Sequence, residues 1–558
     1  MQIKQKLLPL ALLALSPNLL AQQIPGAGTQ LNQLTPTATP QKAEPKIIIE
    51  EADKSQATPG AASVSVLVND LKFAGAQVYS ATELSAIARF SPGSQLTLAE
   101  LKAMAARITE HYRRHGYFVA RAYLPAQDIS SHVVTIAISE GHYGKVTLRN
   151  QSHLSNGLVD GTLDGLDSGD VITIKPLEHR LLLLSDIPGV NVTSTLVPGS
   201  LPGTSDLIVD VVPGRRVTGQ IDADNGGNPY TGEFRLGATV NFNNLLGHGD
   251  VASLRAVTSG PGLNYGRLAY QMRFGRATAG VAYSRLEYRL GKQFDVLGAN
   301  GTAEVASVFD SLPLMRSRDS NLYVGLAYDD KTFEDRMDLF PSADRKARAG
   351  VATVSLYGNH HDNFGGGGMS AFFVSLSSGS LDIRTPAALA ADAASARTNG
   401  SYGKLWFNAS RVQRLSDSWS LYGGITGQLA TKNLDPSEKF VLGGMDGARA
   451  YPQGEGLGDE GYLVDLEARY LLAGLSEHVP GQVQLLGFVD TGHVTINKNP
   501  WYAGPNGRSL SSVGVGVSWS EPGNFLVRAY YARKLGSEPA ISAPDKSGRF
   551  WIQAIKYF

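Results

Sequence analysis

The chain has no cysteine in 558 residues, which excludes a disulfide framework and any chemistry that runs through a thiolate. It has no net charge at neutral pH, with 50 basic and 50 acidic side chains. It therefore lacks the broad basic surface of a general nucleic-acid binder. No stretch reaches the roughly 18 apolar residues that a membrane-crossing helix requires. The apolar run Leu7–Leu15 is too short to span a bilayer. It follows Lys4 and Lys6 and precedes Leu19-Leu20-Ala21, so residues 1–21 read as an export signal. The expectation is an exported chain without a helical anchor.

What the chain has in quantity is glycine and tyrosine, 62 and 22 residues, which suits strands, turns and aromatic girdles. Residues 22–62 are rich in Pro, Ala, Gln and Thr and read as a linker, with a short helix possible at Ala27–Leu34 after Pro25. Residues 63–143 change character. Val64, Val66 and Val68 alternate as in a strand, and Ser80-x-x-Glu83 and Thr97-x-x-Glu100 mark two helix starts. The second helix carries Leu98, Leu101, Met104, Ala105, Ile108 and Tyr112 on one face, and Gly116 ends it. Phe118–Leu124 and His132–Ile138 read as strands, giving the order β-α-α-β-β. Residues 144–216 repeat the scheme: a strand at Val146–Arg149, a helix near Pro176–Leu184, and strands at Asn191–Val197 and Asp206–Val212.

From residue 217 to residue 558 the period becomes two. Phe234, Leu236, Ala238, Val240 and Phe242 alternate with polar or small residues. So do Val464, Leu466, Ala468 and Tyr470, and Val513, Val515, Val517 and Trp519. The apolar face is a core in a soluble sandwich and a lipid face in a membrane barrel. At roughly 20 residues per strand and turn, this region holds about sixteen strands, an even number as closed bacterial barrels have. The alanine-rich stretch Ala387–Ala396 predicts a short helix in an outer loop, and the chain stops on Phe558, the end of a strand-like segment.

Residues 441–461, VLGGMDGARAYPQGEGLGDEG, interrupt this pattern with seven glycines in 21 residues. A loop this long between strands is often functional. Arg449 near its middle needs an anionic partner if it is buried. GFVDTG supplies one, Asp490, interrupting the apolar run Val483–Val489. The pattern suggests a loop that folds back as a plug or gate; an exposed hairpin with a solvated arginine is the plainer alternative.

Several of these motifs occur together in one known family. DIPGVNV (Asp186–Val192) with PGSLPGTSDLIVDV (Pro198–Val211) resembles a second periplasmic POTRA module. DNGGNPYTGEFR (Asp224–Arg235) with NNLLGHGD (Asn243–Asp250) resembles the entry to a barrel. GARAY (Gly447–Tyr451) and GFVDTG resemble a lumen-loop motif and its barrel-wall partner. In order and spacing, nearly the whole mature chain resembles the outer-membrane transporters of two-partner secretion. The resemblance implies a mainly β protein with a transmembrane β-barrel of about sixteen antiparallel strands, preceded by two small α/β POTRA domains. It implies residence in the outer membrane of a Gram-negative bacterium, with the POTRA domains in the periplasm. The implied partners are a large secreted exoprotein with an N-terminal secretion domain (adhesin, haemolysin or contact-dependent toxin), outer-membrane lipid and the barrel assembly machinery.

The resemblance also assigns residues. Arg449 and Tyr451 belong to the gating loop, with Phe488 and Asp490 on the wall facing it. Phe558 belongs to the barrel assembly signal, and Ala27–Leu34 would be a plug helix. Two departures stand out: Ala448 and Ala450 replace the usual Val and Gly, and Lys556 sits where an apolar residue is common. An apolar groove beside the Leu98–Tyr112 helix, with Phe118, Ala120, Ala122, Leu124, Leu101 and Ile108, is the candidate first contact for cargo. It would bind by addition of an extended strand to an exposed edge. The alternative is that these residues form the core of their module.

No cofactor, metal or nucleic-acid site is expected. Gly454-x-Gly456-x-Gly458 is followed by no helical pattern, so it is not a phosphate turn. His360-His361-Asp362, followed by Gly365–Gly368, reads as a solvated turn rather than a metal site. An enzyme would need a convergent acid, base and nucleophile, which is not evident. A passive porin would lack the modules before residue 217, and an assembly factor would carry a different set of them.

Overall fold

The computed structural model describes residues 24–34, 45–49 and 65–558; the export signal and most of the linker lie outside them. Sixteen strands, from Val217–Asp224 to Gly548–Tyr557, form one closed antiparallel barrel. Each strand pairs with its sequence neighbour, and the first pairs with the last over Gln220–Asp224 and Gln553–Tyr557. Beyond that short ladder, the Asn225 side chain continues the pairing. Its Nδ2 donates to the Phe550 carbonyl at 2.9 Å and its Oδ1 accepts from Ile552 N–H at 2.8 Å. Phe558 exchanges two backbone bonds with Gly219, each 3.0 Å.

Alternation sorts the two faces. Ile221, Leu236, Leu254, Leu268 and Val281 are about half exposed on the outside. Gln220, Asp222, Thr239 and Arg255 face inward, with Arg255 Nη1 donating to Asp222 at 2.9 Å and to Thr239 Oγ1 at 2.9 Å. A slip of one residue in any strand would exchange these faces, so burial sets the register. Lys556 lies on the outer face beside Ile221, and its ammonium reaches the Asn524 side chain at the turn, as a snorkelling lysine does. Phe234, expected to open the second strand, lies just before it, because that strand begins at Arg235.

Ahead of the barrel, strand Asp70–Ala74 is parallel to Val133–Ser139, which is antiparallel to Arg121–Tyr123. Helices Ala81–Ala88 and Leu98–Arg114 cover the sheet, and both start with a complete capping box, on Ser80 and Thr97. Leu84, Leu101, Ile108, Tyr112, Val134 and Ile136 form the core. Leu98 was expected on this face but is 46% exposed, because it is the first helical residue and lies beyond the sheet. The expected strand Phe118–Leu124 shrinks to Arg121–Tyr123. Phe118 and Val119 pack instead against the core of the second unit. The strand expected around Val64–Val68 forms at Ser65–Val68 and pairs separately with Ser94–Thr97, which, like Asp70–Ala74, the alternation did not reveal.

The second unit has strands His142–Asn150, Val190–Pro198 and Thr204–Pro213 under helices Asn156–Leu163 and Ile174–Ser185. The first of these helices went unseen because Gly157 and Gly161 obscure its pattern. Lys46–Ile49, inside the tract read as linker, adds a parallel edge strand beside Val190–Pro198. Asp186 clamps Arg316 of the barrel at 2.8 and 3.0 Å, and Arg273 Nη1 donates to the Leu183 carbonyl at 2.6 Å.

In the first unit Glu140 is 1% exposed and accepts from Tyr112 Oη at 2.7 Å and from the N–H groups of Gln77 and Val78 at 2.8 Å. Burial first, and then this carboxylate, push the Tyr112 phenol well above its ordinary range, so it stays a donor. Tyr112→Phe leaves a buried acceptor short of one partner and should destabilise the unit by about 1–3 kcal/mol. Hydrogen exchange in helix Leu98–Arg114 of the full chain should speed up accordingly; unchanged protection would mean the bond contributes nothing net.

Candidate functional site

The barrel interior is occupied by the chain itself. Strands Trp419–Ala430 and Glu460–Leu471 are neighbours in the wall, and the segment between them folds back inside. It forms a small hairpin, Phe440–Val441 against Leu457–Gly458. Gly444, Gly454 and Gly456 have positive φ there, which a side chain would strain. Leu442, Ala448, Ala450 and Tyr451 are fully buried against Leu463, Phe488, Leu510 and Trp551.

Arg449 lies at the centre, 5% exposed. Its Nε and Nη2 reach Asp490 at 3.0 and 2.5 Å, its backbone N–H reaches the same carboxylate at 3.0 Å, and its Nη1 reaches Glu467 at 2.7 Å. Asp490 also accepts from Ser512 Oγ at 2.6 Å, and Trp551 Nε1 donates to the Arg449 carbonyl at 2.6 Å. The guanidinium carbon sits 3.4 Å from the centre of the Phe488 ring and 5.2 Å from that of Tyr530. The planar ion therefore has carboxylates at its edge and aromatic faces above, the arrangement that suits arginine and not lysine. The wall presents these groups because Glu467 and Phe488 are directly paired, as are Asp465 and Asp490, on the inward face of adjacent strands. Tyr451 donates to the Glu538 carbonyl at 3.1 Å, and Lys534 lies 4.7 Å from its ring. Ala450 is not among the residues with positive φ, so glycine is not required after the arginine here.

The loop begins earlier than residue 441. Glu438 is paired with Lys331 at 2.7 Å and Lys404 at 2.8 Å, and Lys439 with Asp459 at 2.6 Å. Asp435 holds Arg345. Sequence reading missed these groups; the signal was the charge-dense DPSEK (Asp435–Lys439) just ahead of the glycines.

Helix Ala27–Asn32 also lies in the lumen, packed on strands Ala277–Arg289, Ala299–Arg316 and Ser320–Met337. No side chain of its own caps it; Asp335 of the wall accepts its Ala27 N–H at 2.7 Å and the Tyr288 hydroxyl at 2.9 Å. Asn32 donates to the Lys439 carbonyl at 3.0 Å, so helix and loop touch. Thr231 donates to Gln30 at 3.1 Å and Asn228 to Gln33 at 3.1 Å.

The other expected residues are placed differently. Ala120, Ala122, Leu101 and Ile108 are buried core, Leu124 packs on that core, and Phe118 packs on the second unit. They do not line an open groove, because the helix and sheet close on them. His360 donates to or accepts from Ser320 Oγ at 2.7 Å and Asp362 pairs with Arg411 at 2.7 Å, at the end of a strand. Among the described residues no group of three or more metal-ligating side chains converges.

Residues 203–519 match the family described as haemolysin secretion/activation protein ShlB/FhaC/HecB, more than half of the chain. Residues 66–141 match a ShlB-type POTRA domain. The chain belongs to this family. It is similar to the heme/hemopexin transporter protein HuxB of Haemophilus influenzae, 30% identical over 488 residues, 85% of this chain and 84% of HuxB. It is also similar to the outer membrane transporter CdiB of Dickeya dadantii, 26% identical over 72% of this chain and 71% of that one. In fold it is similar to CdiB from Escherichia coli, with a TM-score of 0.65 at 19% identity over 91% of this chain and 93% of that one. The protein is thus an outer-membrane transporter of two-partner secretion, exporting a partner exoprotein, and not an enzyme. The porin and enzyme readings fall with that.

Removing Arg449 leaves Asp490 without a cation, while Glu467 keeps Arg469 at 2.7 Å; an unpaired buried carboxylate costs about 3–5 kcal/mol where such a site is dry and less where water enters. Arg449→Ala should therefore insert and show heat-modifiable migration, yet expose the loop to protease. Arg449→Lys should restore protection in part. Effects of Arg449→Ala and Asp490→Ala that simply add would show the two residues to be uncoupled.

An ideal Cβ at Gly28 would lie 2.5 Å from Ser437 Cβ, so a side chain there drives the helix and the loop apart. Gly28→Val should raise ion conductance in planar bilayers. Unaltered conductance would mean that the helix does not obstruct the lumen.

Proposed function

We propose that this transporter captures its exoprotein unfolded in the periplasm, through an N-terminal secretion domain of the cargo, and passes it through the barrel as the lumen elements yield. Residues 63–143 and 144–216 act as the two capture modules and 217–558 as the pore. Arg449, Tyr451, Phe488 and Asp490 hold the gating loop. Phe558 contributes to recognition by the barrel assembly machinery, and the apolar outer belt contacts lipid.

The observation that carries this reading is the plugged lumen. A pore for small solutes has no use for a helix and a loop held by many separate polar contacts, whereas a pore for a polypeptide must be closed when idle. The attachments include ion pairs that are largely buried at rest, so their attraction is offset by the hydration they regain on release. Folding of the exported chain outside the cell supplies the energy. Leu101, Ile108, Ala120 and Ala122 then serve capture indirectly, as the core that keeps the first module rigid. The cargo is an adhesin, a haemolysin or a contact-dependent toxin. The likeness to a heme/hemopexin transporter over most of the chain makes an exoprotein that engages a haem carrier the first to test.

Residues 217–558 behind an export signal should insert as a heat-modifiable barrel and fail to secrete the partner. Normal secretion by that truncated protein would show that recognition does not reside in the modules.

A further inference from the structure

The first module presents two sheet edges, and they differ. At one edge lies Arg121–Tyr123, beside helix Leu98–Arg114. Its central residue is already bonded: Ala122 N–H donates to Thr109 Oγ1 at 2.9 Å, and that hydroxyl donates in turn to the Ala105 carbonyl at 3.0 Å. A visiting strand would have to displace a helix side chain there. At the other edge lies Asp70–Ala74, paired with Val133–Ser139 along one side, and among the described residues no strand pairs with its other side. In a parallel pair, alternate residues send their N–H and C=O groups to opposite edges, so this strand offers donors and acceptors outward. Leu71 N–H meets the carboxylate of its neighbour Asp70 at 2.9 Å. Beside the edge is an open cavity of about 670 Å³, lined by Asp70, Lys72 and Phe73 of the strand, by Thr82 and Ser85 of the adjacent helix, and by Thr135.

Resting on the reading of the first module as a capture module, we propose that the exoprotein docks as an extended strand on the Asp70–Ala74 edge, in the groove against helix Ala81–Ala88, and not on the Arg121–Tyr123 edge. An unfolded cargo offers main-chain groups before anything else. The groove suits that chemistry: it carries one acid, one base and three hydroxyl side chains, so it favours no charge, and the half-buried Phe73 lines it. Main-chain bonds supply the affinity and the groove admits alternate side chains. Arrival of the cargo would displace only the Asp70 carboxylate from Leu71.

The absence of cysteine makes the test direct. Lys72→Cys and Tyr123→Cys, both at exposed positions, are each labelled with a photoactivated thiol cross-linker in the full-length protein solubilised in detergent, where both ends of the barrel are accessible. The probe is the partner exoprotein, identified by its loss from the surface when this chain is deleted, held unfolded in urea and diluted on mixing. The expected result is an adduct several-fold stronger from position 72 than from 123, together with a several-fold fall in secretion on Ser85→Arg, which fills the groove from the helix side while the barrel remains heat-modifiable. A stronger adduct at 123, or adducts at neither position, overturns the proposal. So does a cross-link from position 72 to residues 50–64 of this same chain that the exoprotein does not displace, because the groove would then be filled internally. If residues 217–558 alone secrete the partner, the capture reading itself fails; if the modules are required and position 72 stays silent, only this assignment of the edge fails.

Discussion

Closure of the sheet is the constraint on which the rest depends. Within lipid every backbone N–H and C=O must find a partner inside the protein, and a barrel achieves this only by joining its last strand to its first. Here that joint is the short ladder between Gln220–Asp224 and Gln553–Tyr557, extended by the Asn225 amide and by the two bonds between Gly219 and Phe558. Closure forces alternate residues to opposite environments. Leu236, Leu254 and Leu268 turn to lipid, while Asp222, Arg255, Glu467 and Asp490 turn inward.

An inward polar face creates a channel, and this chain closes it with its own polar segments. Those segments are held by apolar packing around Leu442 and Tyr451 and by charges that the wall strands deliver: Asp490 and Glu467 for Arg449, Lys331 and Lys404 for Glu438, Asp335 for the start of helix Ala27–Asn32. Such contacts specify position more than they add stability, since attraction is offset by lost hydration. The contact between Asn32 and the Lys439 carbonyl joins helix and loop.

The second module stands directly on the barrel through Asp186, Arg316 and Arg273, whereas the first is coupled to the second by Phe118 and Val119. The first module is thus tied to the barrel by way of the second. Its shape is set by a buried core, by two capping boxes and by Glu140, which ties Tyr112 to the turn at Gln77 and Val78.

Period-two alternation is local, so the sequence alone was enough for the strands, their approximate number and the two faces of Val464–Tyr470, whereas the choice of barrel over sandwich needed the motifs shared with a known family. The capping boxes were legible for the same reason: four consecutive residues contain the whole interaction. The pairing of Arg449 with Asp490 was legible because each is a charge out of place, one among glycines and one among apolar residues. Other features depended on groups far apart in the chain. Helix Ala27–Asn32 is too short to hold itself together and forms where Asp335, more than 300 residues away, accepts its first N–H. The tract containing Lys46–Ile49 has linker composition, and only the exposed edge of Val190–Pro198 makes it a strand. Phe118 fits a strand pattern, yet the neighbouring module offers it a better burial site. Whether an edge is open also escaped the sequence. Ala122 and Leu71 both lie on edge strands, and the difference between them is a threonine hydroxyl that the fold places beside one and not the other.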